Sequence, residues 1–149
     1  MLIFTRPARC GAFTPNRTTE NKDMKKTLST YEIADALKRD ENAAWTWAGA
    51  QALAEYLEEY EESIGEEMEL DVVAIRCDYS EYSSLQDWGE EYFGGWNELC
   101  DELGDDYRGP LDDETPEEYA ERFDDAIRAH IHDNGTLIEF DGGVIVSSF

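Results

Sequence analysis

The sequence predicts an α+β fold in which a small antiparallel sheet, one central strand plus a C-terminal β-hairpin, is packed with four to five helices. Three observations carry this. Apolar residues recur at three- and four-residue spacing in several segments, as on the buried face of a helix. A β-branched run, Val72-Val73 and Ile75, interrupts them. The C-terminus then alternates around Asp141-Gly142-Gly143, a strong hairpin signal.

Taken in order, Ser29-Thr30-Tyr31-Glu32 has capping-box spacing, in which a hydroxyl and a carboxylate reciprocally satisfy the first free amides of a helix. The helix it opens runs to about Arg39 with Ile33, Ala36 and Leu37 on one face. A longer helix is expected from about Ala44 to Ile64, stopped by Gly65, with Trp47, Ala50, Leu53, Ala54, Leu57 and Ile64 as its buried stripe. Met68 to Asp78 reads as the central strand. Ser83 or Ser84 can cap a helix through Leu85, Trp88 and Tyr92 that stops at Gly94-Gly95, and Trp96 to Leu103 gives another. Gly104 to Thr115 reads as an acidic loop. Thr115-Pro116-Glu117-Glu118 starts the last helix, whose stripe is Tyr119, Phe123, Ile127 and Ile131 and which ends at Asn134-Gly135. Thr136 to Phe140 and Val144 to Phe149 form the hairpin.

The chain has 149 residues, with 36 Asp and Glu against 12 Lys and Arg, a formal charge of -24. The imbalance is not confined to a tail. Residues 1–23 carry 4 basic and 2 acidic side chains and read as a basic extension or arm outside the fold; residues 24–149 carry 8 and 34 and read as a single acidic domain. Such a charge disfavours nucleic acid, anionic membrane and acidic substrates as ligands, and favours a basic protein surface. No apolar run reaches the length of a membrane span. Three widely spaced cysteines, Cys10, Cys77 and Cys100, suggest a reducing cytoplasm and no disulfide framework, with Cys77 a small core residue.

Chemistry-bearing motifs are few. No phosphate loop, nucleophile elbow or HExxH string is present, carboxylates are too numerous for one pair to stand out, and the expectation is a non-enzyme without cofactor or metal. The Asp-rich stretch Asp101 to Glu114 misses the ligand register of a calcium loop. His130 and His132, two apart on a helix, diverge, and suit the negative end of the helix better than a shared metal. The carboxylate rows are more informative. Glu55, Glu59, Glu62 and Glu66, with Glu58 beside them, form one; Glu117, Glu121 and Asp124 or Asp125 form another. Side chains three or four apart on a helix stand about 5–6 Å from one another, and like charges there cost a few tenths of a kcal/mol per pair. A solvated helix face explains any single row. Several rows together can occupy a cleft whose Lys and Arg serve phosphate.

The strings Ala54-Glu55-Tyr56-Leu57-Glu58-Glu59, Arg76-Cys77-Asp78-Tyr79-Ser80-Glu81-Tyr82 and Gly135-Thr136-Leu137-Ile138-Glu139-Phe140-Asp141-Gly142-Gly143 resemble small acidic proteins of phages and prophages over most of residues 24–149. In character, though not by motif, the chain is also similar to phage DNA mimics that block restriction enzymes or CRISPR effectors. That similarity implies inhibition of a basic, nucleic-acid-binding host protein in the host cytoplasm, without direct contact to nucleic acid. No functional residue transfers by motif, so the phosphate surrogates are assigned from the rows themselves. The alternatives are an acidic regulatory or protein-interaction module, and a salt-adapted structural protein without mimicry.

Overall fold

The computed structural model describes residues 27–149, and the reading of residues 1–23 as a separate arm lies outside them. Six α-helices and three strands follow one another: α1 (Thr30–Lys38), α2 (Trp47–Ile64), α3 (Val72–Asp78), β1 (Tyr79–Tyr82), α4 (Leu85–Phe93), α5 (Trp96–Leu103), α6 (Pro116–Asn134), β2 (Leu137–Phe140) and β3 (Gly143–Ser147), with a 3-10 turn at Asp105–Tyr107. The chain groups into two compact units. One runs to Ser80 and takes in Ser148; the other comprises Glu81–Ser147 and Phe149.

In the first unit the Ser29–Glu32 capping box forms, and Ile33, Ala34 and Leu37 of α1 are buried. Thr46 caps α2 by accepting the Gly49 amide, and Gly65 closes it in the left-handed region at φ 68, which a residue without Cβ adopts freely. Ala50, Leu53, Ala54 and Leu57 face the core, where Met68 and Ile75 are also buried.

The expected strand at Met68 to Asp78 is corrected here, because most of it is helix. Asp71 accepts the amides of Val73 and Ala74 at 3.0 Å, so a capped turn competes with extension at the point where the β-branched run begins. Within α3 only Ile75 enters the core, while Val73 is 50% exposed. Cys77, read as a reduced core residue, is half-buried and disulfide-bonded, whereas Cys100 is a free, buried thiol. Two positions beyond Ile75, Cys77 points to the other side of a helix with 3.6 residues per turn.

In the second unit the C-terminal hairpin pairs antiparallel with Leu137 opposite Val146, Ile138 opposite Ile145 and Glu139 opposite Val144. The strand order is β1-β3-β2, so the centre of the sheet is the hairpin's second strand and the preceding single strand is an edge, the reverse of the expected arrangement. The burial of Val144, Ile145 and Val146 in succession is the mark of that central position. Leu85, Trp88, Leu99, Cys100, Phe123, Ile127 and Ile131 close the core from α4, α5 and α6.

Gly143 has no room for a side chain, since a Cβ there would press into the backbone carbonyl of Tyr82 on β1. Gly143→Ala is therefore expected to destabilise the protein by about 1–3 kcal/mol, the usual cost of overpacking a site that cannot yield. Urea denaturation of both proteins measures it, and an unchanged midpoint would show that the two strands do not approach so closely.

Candidate functional site

The surface of α2 follows from its periodicity. With 100° between successive residues, Glu55, Glu59 and Glu62 fall within a sector of about 60° on the side away from Leu53 and Leu57. All three are exposed, as is Glu66 just past the Gly65 cap. Glu55 accepts from Gln51 Nε2 at 3.2 Å. Glu58 is half-buried and accepts the Thr30 hydroxyl, so it ties α1 to α2 instead of standing in the open row.

The row on α6 is placed differently. Thr115 and Glu118 form a capping box, and the amide and hydroxyl of Thr115 hold the Glu118 carboxyl below its ordinary range. Glu117 and Glu121 are exposed. Asp124 is half-buried, and burial raises its pKa, with Asp125 and Glu139 adding in the same direction against the pull of Arg128. Asp125 is exposed but paired with Arg128, which also grips Glu139 at 2.8 Å. A cation thus sits within this row.

Cations are scarce everywhere among the described residues, and each of the five arginines there is ion-paired. Arg39 meets Asp35 at 2.7 Å. Arg76 holds both oxygens of Asp40, whose side chain is only 6% exposed. Arg108 pairs with Asp101 and Asp105. Arg122 grips Glu114 with two nitrogens at 2.7 and 2.8 Å, donates to the carbonyls of Asp106 and Gly109, and stacks over Tyr107 and Tyr119 at 4.9 and 5.5 Å. Lys38, the remaining cation, donates to the Trp45 carbonyl. None of them reaches Glu55, Glu59, Glu62 or Glu66. Arg122 also explains the acidic loop, since it gathers that segment through backbone and carboxylate. Among the described residues no three His, Cys, Asp or Glu side chains converge as a metal site.

Two aromatic features complete the surface. His130 sits amid rings, 5.2 Å from Phe93 and 6.3 Å from both Trp88 and Phe149, while His132 is exposed. Tyr92 stacks on Trp88 at 4.9 Å and stays 48% exposed. In the first unit Tyr31 and Trp47 meet edge to face at 5.4 Å with 67% and 40% of their surfaces exposed. The stripe read from the sequence had buried Trp47 and Ile64, and both are surface residues at the two ends of α2. Trp47, Tyr31, Thr30, Ala34, Gln51 and Glu55 line a groove of about 440 Å³. A second, shallower hollow of about 540 Å³ lies along α6 beside Glu118, Glu121, Arg122 and Asp125.

No family model matches the chain, and neither the curated proteins nor the solved structures provide a match. No helix among the described residues is long and apolar enough to cross a membrane.

The Arg122 clamp yields a pH dependence. Its guanidinium, helped by the Leu111 amide, holds the Glu114 carboxyl at about 2, against an ordinary 4.5. A carboxyl lowered in the folded state contributes stability that is complete above pH 4.5 and is lost as pH falls toward 2. Glu114→Gln should be less stable than the parent at pH 6, with the difference shrinking across that window. Denaturation of the two proteins in parallel from pH 6 to pH 2.5 checks it, since relief of general self-repulsion is common to both. A difference independent of pH would mean that the clamp does not depend on charge.

Proposed function

We propose that this protein inhibits a nucleic-acid-binding host defence enzyme, a restriction enzyme or CRISPR effector of the kind phages encounter, by presenting the α2 carboxylate row in place of phosphates. One observation carries the reading. Every described arginine is committed to a carboxylate elsewhere in the fold, so Glu55, Glu59, Glu62 and Glu66 remain without a cationic partner among the described residues. Successive members of a helical row lie about 4.5–6 Å apart along the axis, the range set by three- and four-residue steps, and a phosphate-reading cleft supplies cations at comparable intervals.

The α6 side chains Glu117 and Glu121 are the second candidate contact. Asp124 and Asp125 contribute less, the one half-buried and the other neutralised by Arg128. Glu58 acts chiefly within the fold, through Thr30. The reading needs no catalysis and no cofactor. The basic partner supplies the binding energy, and attraction over several ångströms makes association fast and sensitive to salt.

The free protein bears the cost of these like charges, so mutating them should separate function from stability. The triple variant Glu59→Gln, Glu62→Gln, Glu66→Gln is expected to fold at least as stably as the parent, because each like-charge pair removed relieves a few tenths of a kcal/mol. It should also inhibit DNA cleavage by a sensitive effector at least tenfold less well. Cleavage assays against a panel of purified restriction enzymes and CRISPR effectors, with duplex DNA as competitor, read the effect. Undiminished inhibition by the triple variant, or inhibition that excess duplex does not relieve, would overturn mimicry by α2.

A further inference from the structure

We infer that the groove between α1 and α2 is a receptor for one arginine side chain of the partner protein, with Tyr31 and Trp47 as its aromatic wall and Glu55 as its counter-charge. The inference deepens the functional reading above and rests on it for the identity of the partner, but the chemistry of the groove is argued separately. Its volume, about 440 Å³, lies within the range of small-ligand sites. Its two rings are large and exposed, and meet edge to face at 5.4 Å. An exposed aromatic pair offers a partner the kind of surface on which Trp and Tyr commonly anchor binding.

The occupant follows from what else lines the groove. Thr30, Gln51 and Glu55 contribute polar groups, and Glu55 opens the carboxylate row of α2. An apolar occupant would cover Glu55 without pairing it, which leaves a desolvated charge uncompensated. A phosphate or carboxylate would meet Glu55, with Glu58 and Glu59 close behind on the same helix. A cation satisfies both components. Arginine suits it better than lysine, because a planar guanidinium stacks on an aromatic face while its edge donates two parallel hydrogen bonds to one carboxylate. The molecule already contains this combination at Arg122, which is gripped by Glu114 and stacked over Tyr107 and Tyr119. At α1–α2 the rings and the carboxylate are present, and among the described residues no arginine fills the space. A cleft built to read phosphate would supply that arginine.

The test is a titration of the full-length protein with a capped Gly-Arg-Gly tripeptide, with the same peptide carrying citrulline, which keeps the shape and loses the charge, as control. Two-dimensional NMR follows the four tryptophan indole groups and the Gln51 side-chain amide. Saturable shifts at Trp47 and Gln51 are expected in the millimolar range with the arginine peptide, at least tenfold weaker with citrulline, and smaller at Trp45, Trp88 and Trp96. Trp47→Ala and Glu55→Gln should each weaken binding by roughly three- to tenfold, and Trp47→Phe should restore most of it, which a merely structural role for Trp47 would not require. Equal response to citrulline, or shifts that persist in Glu55→Gln, would overturn the inference. The triple variant at Glu59, Glu62 and Glu66 leaves this groove intact. Lost arginine binding with mimicry preserved would therefore condemn the groove alone, and retained arginine binding with no effector inhibited would condemn the mimicry.

Discussion

The structure depends on how few cations it has to distribute. From residue 27 onward there are 6 Lys and Arg for 34 Asp and Glu, so no general neutralisation is available. Three of the five described arginines tie together segments distant in sequence. Arg76 reaches Asp40 across 36 positions of sequence, Arg122 gathers the acidic loop onto α6, and Arg128 joins α6 to the β2 strand through Glu139. These pairs are bidentate or part-buried, which is where an ion pair contributes more than the small amount typical of an exposed one.

Repulsion on the remaining surface is then countered by packing and capping. The capping boxes of α1 and α6 and the side-chain caps of α2, α3 and α4 satisfy amides at helix starts, at about 1 kcal/mol each. Each places an acceptor, and at α1, α3, α4 and α6 also a carboxylate, at the positive end of a helix, so that some of the negative charge stabilises the structure locally. The row on α2 has no such role. It lies on the face of α2 opposite Leu53 and Leu57 and meets no described cation, so its repulsion, a few tenths of a kcal/mol per pair, is left to solvent in the free molecule.

The aromatic residues sort by the same logic. Trp88, Phe123 and Tyr79 are core, Trp96 stacks on Phe123 at 4.8 Å, and burial together with neighbouring Tyr56 and Asp78 raises the Tyr79 hydroxyl pKa. Tyr31, Trp47 and Tyr92 are exposed, each in contact with another ring.

Much of this was legible in the sequence because it is local. The capping box at Ser29, the Thr115 cap, the Gly65 stop and the C-terminal hairpin each depend on residues within a few positions, and each formed. Periodicity placed Ala50, Leu53, Ala54 and Leu57 inside, but could not tell that the helix outlasts its core at Trp47 and Ile64, since that limit is set by the extent of what packs against it. Val72 and Val73 favoured a strand by their branching, yet Asp71 caps a helix there, and which preference prevails depends on whether Ile75 finds a core. The total charge was fixed by composition. Which carboxylates are paired was decided in larger part by tertiary structure: Arg39 and Arg128 find Asp35 and Asp125 within one helical turn, but residues as far apart as Asp40 and Arg76 meet only once the chain has folded, because such a partner is chosen by proximity in space.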